Sequence, residues 1–167
     1  MNRATTPILI NGNLKTKVDA LDNLFAFADY PWDEPPDPDE EEIEVPPFPR
    51  MAKCYGWLEF DRQQIQRIPR GKKAPVVLSG RIRRFMQRDK DYIAVVYEYI
   101  AEGPNDPDVV EEVGRFLWLV GFCHTGNLAR NWRRGILVDH SDIVYPRSYG
   151  WFEARYRPRK AFVLLRE

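Results

Sequence analysis

The sequence predicts an α+β domain with one long helix and a small mixed or antiparallel sheet. Two runs rich in aromatic and β-branched residues, MAKCYGWLEF at 51–60 and YIAVVYEYI at 92–100, have the signature of strands. Beyond them Val109, Val113, Phe116, Leu117 and Val120 recur on one helical face. Only short apolar segments follow, so the order is helix, strands, helix, short strands, without the alternation of βαβ units.

The elements follow in chain order. Val18, Leu21, Leu24, Phe25 and Ala28 have helical spacing and predict a helix over 17–29, ended by Pro31. From Asp29 to Glu44 there are nine acidic residues and no basic one, interleaved with Pro31, Pro35, Pro36 and Pro38. Proline and like charge together predict an extended, solvated linker there. Val76–Leu78 is a shorter strand candidate between the two long ones. The turn Gly103-Pro104-Asn105-Asp106-Pro107 leads into a helix over 109–122 with Asp108 as its N-cap. Gly135–Asp139 reads as a short strand ending in a carboxylate, with Ile143–Tyr145 as its hairpin partner. Arg155, Arg157, Arg159 and Lys160 give the last twenty residues the character of an exposed basic tail. The aromatic residues Tyr145, Tyr149, Trp151, Phe152 and Tyr156 either pack on the core or form a protein-binding patch. The predicted division is an N-terminal segment with a short helix (1–28), an acidic proline-rich linker (29–45), a central domain (46–146) and a basic aromatic tail (147–167).

In a chain of 167 residues, 44% hydrophobic and 13% aromatic content excludes a wholly disordered protein. The 25 Lys and Arg balance the 25 Asp and Glu, so only local charge carries information. The basic stretch 62–90 has ten Lys or Arg against the single Asp89, and is expected to attract the acidic segment loosely. Interleaved with Ile65, Ile68 and Phe85, it also suits a nucleic-acid-binding module, but without a stacking pair or net positive charge it reads better as a solvated face. Cys54 and Cys123 are too few for a disulfide framework, which fits a reducing compartment. With His124 and His140 they do not follow zinc-ligand pairing, and both read as buried apolar side chains. Neither a secretory signal nor a membrane span is visible, so an intracellular protein, cytoplasmic or nuclear, without a membrane partner is expected.

The chemistry is concentrated in GFCHTGNLARNWRRGILVDHSDIV, residues 121–144, where a helix ends, a polar loop follows and a strand delivers an acid. Asp139, closing an apolar strand, is expected to need a metal or an arginine (Arg130, Arg133 or Arg134) against its desolvation. Asn131 suits either a magnesium ligand or a turn residue bound to nearby backbone. His124-Thr125-Gly126, four further residues and Asn131 match the spacing H-R-D-x-x-x-x-N, and Asp139-His140-Ser141 falls where D-F-G would stand.

On these residues, over roughly 46–146, the chain resembles protein kinases, and specifically a divergent, truncated kinase-like (pseudokinase) domain of the fungal type. The resemblance implies a reduced kinase-like fold in which helix 109–122 precedes the catalytic-loop-like segment. PFPRMAKCYGWLEF would follow the regulatory helix, and the backbone of Glu98, Tyr99 and Ile100 would face an adenine ring. His124 would hold backbone, and Asn131 and Asp139 would be the metal ligands.

The departures decide the expected activity. Gly126 stands at the catalytic aspartate, there is no G-x-G-x-x-G, and Lys15 and Lys17, the only lysines before Lys53, lie in no convincing strand. The expectation is therefore a catalytically inactive, protein-binding or scaffolding module with no catalytic residue and no resident cofactor, binding Mg-ATP weakly at most. The alternative is an active phosphotransferase in which Asp142 serves as base.

Overall fold

A computed structural model describes residues 8–27, 41–73, 76–79, 82–87, 89–126 and 128–166. Strand β1 (Leu9–Asn11), helix α1 (Lys17–Phe25) and strand β2 (Glu42–Glu44) come first. Then follow β3 (Cys54–Phe60), α2 (Arg62–Arg67), β4 (Val77–Ser79), β5 (Ile82–Arg84) and β6 (Tyr92–Tyr97). The long helix α3 (Pro107–Leu119) leads to β7 (Cys123–His124), β8 (Trp132–Arg133), β9 (Ile136–Leu137), β10 (Ile143–Val144) and α4 (Ala161–Leu164). The strands form five two-stranded antiparallel ladders: β1–β2, β3–β6, β4–β5, β7–β10 and β8–β9. The α+β class holds in this coarse form, with antiparallel pairing throughout the described residues.

The chain divides into two compact units that cut across the predicted boundaries. One comprises the residues up to Ala52 and from Ile100 onward; the other is Lys53–Tyr99. In the first unit, helix α3 is buried along one face. On one side of it Val110, Val113 and Leu117 pack with Trp132, Leu137, Ala161 and Leu164. Leu119 belongs to a second cluster with Ile10, Leu14, Ala20, Cys123, Trp151 and Tyr156. The expected basic tail is thus half core. Arg155, Arg157 and Lys160 are exposed, but Trp151 and Tyr156 are buried because each has an apolar body to sequester and a polar edge with a partner.

Those partners are carbonyls at and just beyond the C-terminal end of α3. The Tyr156 hydroxyl donates to Trp118 O at 2.9 Å, the Trp151 indole to Gly121 O at 3.2 Å, and the Asn23 amide to Leu119 O at 2.7 Å. Gly121 makes the turn beyond the helix with φ +92°, and a Cβ there would lie 2.2 Å from Ala20 O. Gly121→Ala is accordingly expected to destabilise the first unit by about 2–4 kcal/mol, combining strain and backbone displacement. Thermal unfolding followed by near-ultraviolet circular dichroism measures it, and a loss under 1 kcal/mol would mean the contact relaxes freely.

At the other end α3 starts two residues earlier than expected. Asp106, not Asp108, is the N-cap, accepting from the Asp108 N–H at 3.0 Å, because Pro107 takes the first helical position, where its missing N–H costs nothing. Helix α1 begins with a reciprocal capping box between Thr16 and Asp19. It buries Ala20 and Asn23, whereas Val18, expected on the apolar face, is 64% exposed. The end of the expected acidic linker is a strand, β2, because Ile43 pairs with Ile10 of β1. Residues 29–40 of that linker, with the expected contact to 62–90, lie outside the described residues.

The second unit is a ladder of β3 and β6 with a bulge between Cys54 and Gly56, flanked by α2 and the β4–β5 hairpin. The basic stretch therefore carries a capped helix, begun by Asp61 and buried at Ile65. Cys54, expected to be buried, is exposed at the start of β3; Cys123 is buried as expected. Among the described residues no helix is long and apolar enough to cross a membrane.

Candidate functional site

Two nested ladders shape the segment after α3. The inner one is a two-residue hairpin, β8–β9, turning at Arg134 and Gly135 with φ 52° and 75°. Positive φ at both turn residues matches the right-handed twist of the flanking strands. In the outer ladder β10 returns to β7, setting Ile143 opposite His124 and Val144 opposite Cys123. This corrects the expected hairpin: Ile136–Leu137 pairs backwards with Trp132–Arg133, and Ile143–Val144 pairs with the strand before the loop. Nesting brings residues 124–126, 131 and 139–142 to one place.

Asn131 sits at the centre and is buried. Its carbonyl accepts from the N–H groups of Val138 at 2.8 Å and Asp139 at 3.3 Å. Its side-chain amide donates to Asp142 Oδ2 at 2.8 Å. Main-chain Asp142 O in turn accepts from Thr125 N at 2.8 Å and from the Thr125 hydroxyl at 3.2 Å. The Asp142 carboxylate lies where a side chain at 126 would go: a Cβ on Gly126 would be 2.3 Å from Asp142 Oδ2. Glycine at 126 is what admits this carboxylate into the loop.

Asp139 is exposed, and the desolvation it does feel is outweighed by its hydrogen bonds. Its Oδ1 accepts from Ser141 N at 2.9 Å, an Asx turn, and the main-chain and side-chain hydrogen bonds from Ser141 hold its carboxyl below the usual range. Of the three arginines expected beside it, Arg130 adds a smaller electrostatic stabilisation of the carboxylate, while Arg133 donates to Ile100 O at 3.1 Å and lies 3.6 Å from Glu102. Asn131 and Asp139 are thus neighbours through main chain, while their side chains serve different partners. No group of three or more His, Cys, Asp or Glu side chains suited to a metal occurs among the described residues.

His124 is buried at 6% exposure, and its Nε2 has no hydrogen-bond partner among the described residues. Burial, reinforced by the Arg159 guanidinium, pushes it down to about 4, so it is neutral at pH 7. That suits a residue whose main chain carries the β7–β10 ladder. Arg159 near His124 was not legible in the sequence, since it arrives from a segment read as tail.

The three adenine-facing candidates lie at the boundary of the units. Glu98 and Tyr99 close the second unit, with Glu98 N donating to Lys53 O at 2.7 Å and its carboxylate accepting from Lys53 N at 3.2 Å. Tyr99 is 81% exposed. Ile100, buried, belongs to the first unit, and its carbonyl is the acceptor for Arg133. No protein-family model, curated protein or solved structure matches the chain.

Proposed function

We propose that the chain is a kinase-like module that binds a protein partner and transfers no phosphate. The observation that carries this reading is the internal commitment of the loop: the Asn131 amide is spent on Asp142 and the Asp139 carboxylate on Ser141. Magnesium keeps several waters and is shared between one or two carboxylates and the nucleotide phosphates, so a site whose ligands must first leave their own loop gains little from it. With neither glycine-rich loop nor strand lysine, the phosphates have nothing to position them. Support for the kinase-like reading is the order of helix α3, polar loop, short strands and an acid at 139. Support for protein binding is the exposure of Tyr149, Phe152 and Tyr145, which leaves three of the five C-terminal aromatic residues outside the core.

A second reading is favoured by one feature, the Asp142 carboxylate in the side-chain space of Gly126, where a kinase-like loop would have its aspartate. One pair of measurements separates the two. Calorimetric titration with Mg-ATP is expected to give a millimolar dissociation constant or none, about −4 kcal/mol at best. Radiolabelled ATP is expected to give no transfer to a generic acceptor. Turnover abolished in Asp142→Asn would replace the proposal with an unorthodox phosphotransferase. Trp132 is a poor optical probe for this titration because it is packed in the core beneath α3.

A further inference from the structure

The turn through residues 152–159 gathers three arginines around one carbonyl. Tyr156 is buried at 3% exposure and donates its hydroxyl to Trp118 O, which fixes the middle of the segment. Its φ of −81° and ψ of 86°, with Arg157 N donating to Arg155 O at 3.1 Å, make an inverse γ-turn. The Arg159 guanidinium donates to the same carbonyl at 3.4 Å. The Arg155 guanidinium lies over the Phe152 ring, 5.7 Å from its centroid. Arg155 and Arg157 are exposed and Arg159 is half-buried. Among the described residues none of the three is ion-paired with a carboxylate. Glu153, the one acid of the turn, accepts from Lys17 N at 3.2 Å, and Glu111 is paired with Lys160 at 3.0 Å. Burial, with repulsion from Arg157 and Arg155, lowers Arg159 from the ordinary arginine range, and no carboxylate offsets it.

We propose that this turn is the docking site for a phosphorylated segment of a protein partner. The inference rests on the protein-binding reading above and gives that partner its chemistry. Three uncompensated guanidiniums in one turn carry more positive charge than a single carboxylate neutralises. A phosphate monoester brings a charge of about −1.5 to −2 and three acceptor oxygens, and arginine clusters meet it with paired N–H donors. The γ-turn and the ring beneath Arg155 hold these donors in place before a ligand arrives, which lowers the cost of ordering them. Just upstream along the chain Tyr149 is fully exposed, and Phe152 is 54% exposed, so both offer apolar surface to the residues that flank the phosphate. A single-stranded nucleic acid also brings phosphates, but it is held largely by bases that stack on free ring faces. The face of Phe152 is taken by Arg155.

Fluorescence anisotropy of the full chain with labelled short peptides tests it. The probes are pools with random flanks around a central phosphoserine, phosphothreonine or phosphotyrosine, and the same pools unphosphorylated. At least one phosphorylated pool is expected to bind with micromolar affinity, about tenfold or more tighter than its unphosphorylated counterpart. Arg155→Gln and Arg157→Gln are each expected to weaken that binding about tenfold with an unchanged near-ultraviolet spectrum. Arg155→Lys, which keeps the charge and loses the fork, is expected to recover only part of it. Arg62→Gln, in the second unit, is expected to leave it unchanged. If Arg155→Gln fails to fold, Arg157→Gln decides alone. Equal binding of phosphorylated and unphosphorylated pools overturns the proposal and leaves the protein-binding reading standing. Binding of no pool, a loss with Arg62→Gln as large as with Arg157→Gln, or a single-stranded oligonucleotide held more tightly than every peptide pool overturns it as well.

Discussion

Replacing Asn23 with leucine is expected to cost the first unit about 3–5 kcal/mol. Leucine keeps the branching of asparagine but is bulkier, so no cavity opens, and the loss combines the missing hydrogen bonds with overpacking of a filled site. Asn23 is 2% exposed; its Oδ1 accepts from Asn11 N at 2.9 Å, and its amide donates to Asn11 O at 2.9 Å and Leu119 O at 2.7 Å. Each main-chain group deprived of such a bond in a dry interior costs roughly 1–3 kcal/mol. Against a total stability of about 5–15 kcal/mol for a domain, this brings the unit close to unfolding. Urea titration is the measurement: a lower midpoint at unchanged slope is expected. A shift equivalent to less than 1 kcal/mol would show that water replaces the amide.

Acid is expected to destabilise the first unit before its carboxylates titrate. The unfolded chain binds a proton at His124 near the ordinary histidine value of 6.5, whereas the folded protein does so only at about 4. The unfolded state therefore holds more protons between these values, and stability falls as pH drops through the window. No penalty applies above 6.5, and the full penalty is reached below about 4. At about 1.4 kcal/mol per pH unit it amounts to about 3 kcal/mol. Asp139, held low by Ser141, adds its own loss only at more acid pH. Chemical denaturation at pH 7.5, 5.5 and 4.5 is expected to show the decline in the wild type and its attenuation in His124→Gln. Parallel curves for the two proteins would place the acid sensitivity elsewhere.

What the sequence disclosed was mainly local. Helix α3 was legible because its apolar residues recur every three or four positions; its cap was displaced by the proline at 107, and it ends at Leu119, where the turn at Gly121 begins. Strands β3 and β6 were legible from their aromatic and β-branched runs, but alternation could not tell that apolar side chains stay exposed on both faces, Trp57 and Val95 on one and Leu58 on the other. The partner of β9 was misread because the turn at Arg134–Gly135 needs positive φ at an arginine, a residue that does not announce such a turn. Strand β2 was hidden because Ile43 finds its partner, Ile10, more than thirty residues upstream. In the loop, motif spacing brought Gly126, Asn131 and Asp139 to notice. The position of the Asp142 carboxylate against Gly126 arises from β10 folding back on β7, which no spacing within the motif encodes.

The three donors at the end of α3 also set a timetable. Asn23 precedes the helix by about a hundred positions, whereas Trp151 and Tyr156 follow it by some thirty to forty. The helix can form from its own residues while the chain is still being synthesised, but the carbonyls at its end lack their full set of donors until Tyr156 has left the ribosome. At about 5–20 residues per second, several seconds pass between the emergence of the helix and that of its final donor. Such long-range closure also slows refolding of the finished chain. During that interval the apolar flank formed by Leu119 and Cys123 lacks its cover from Trp151 and Tyr156, so a nascent chain stalled in this stretch is a natural client for a chaperone.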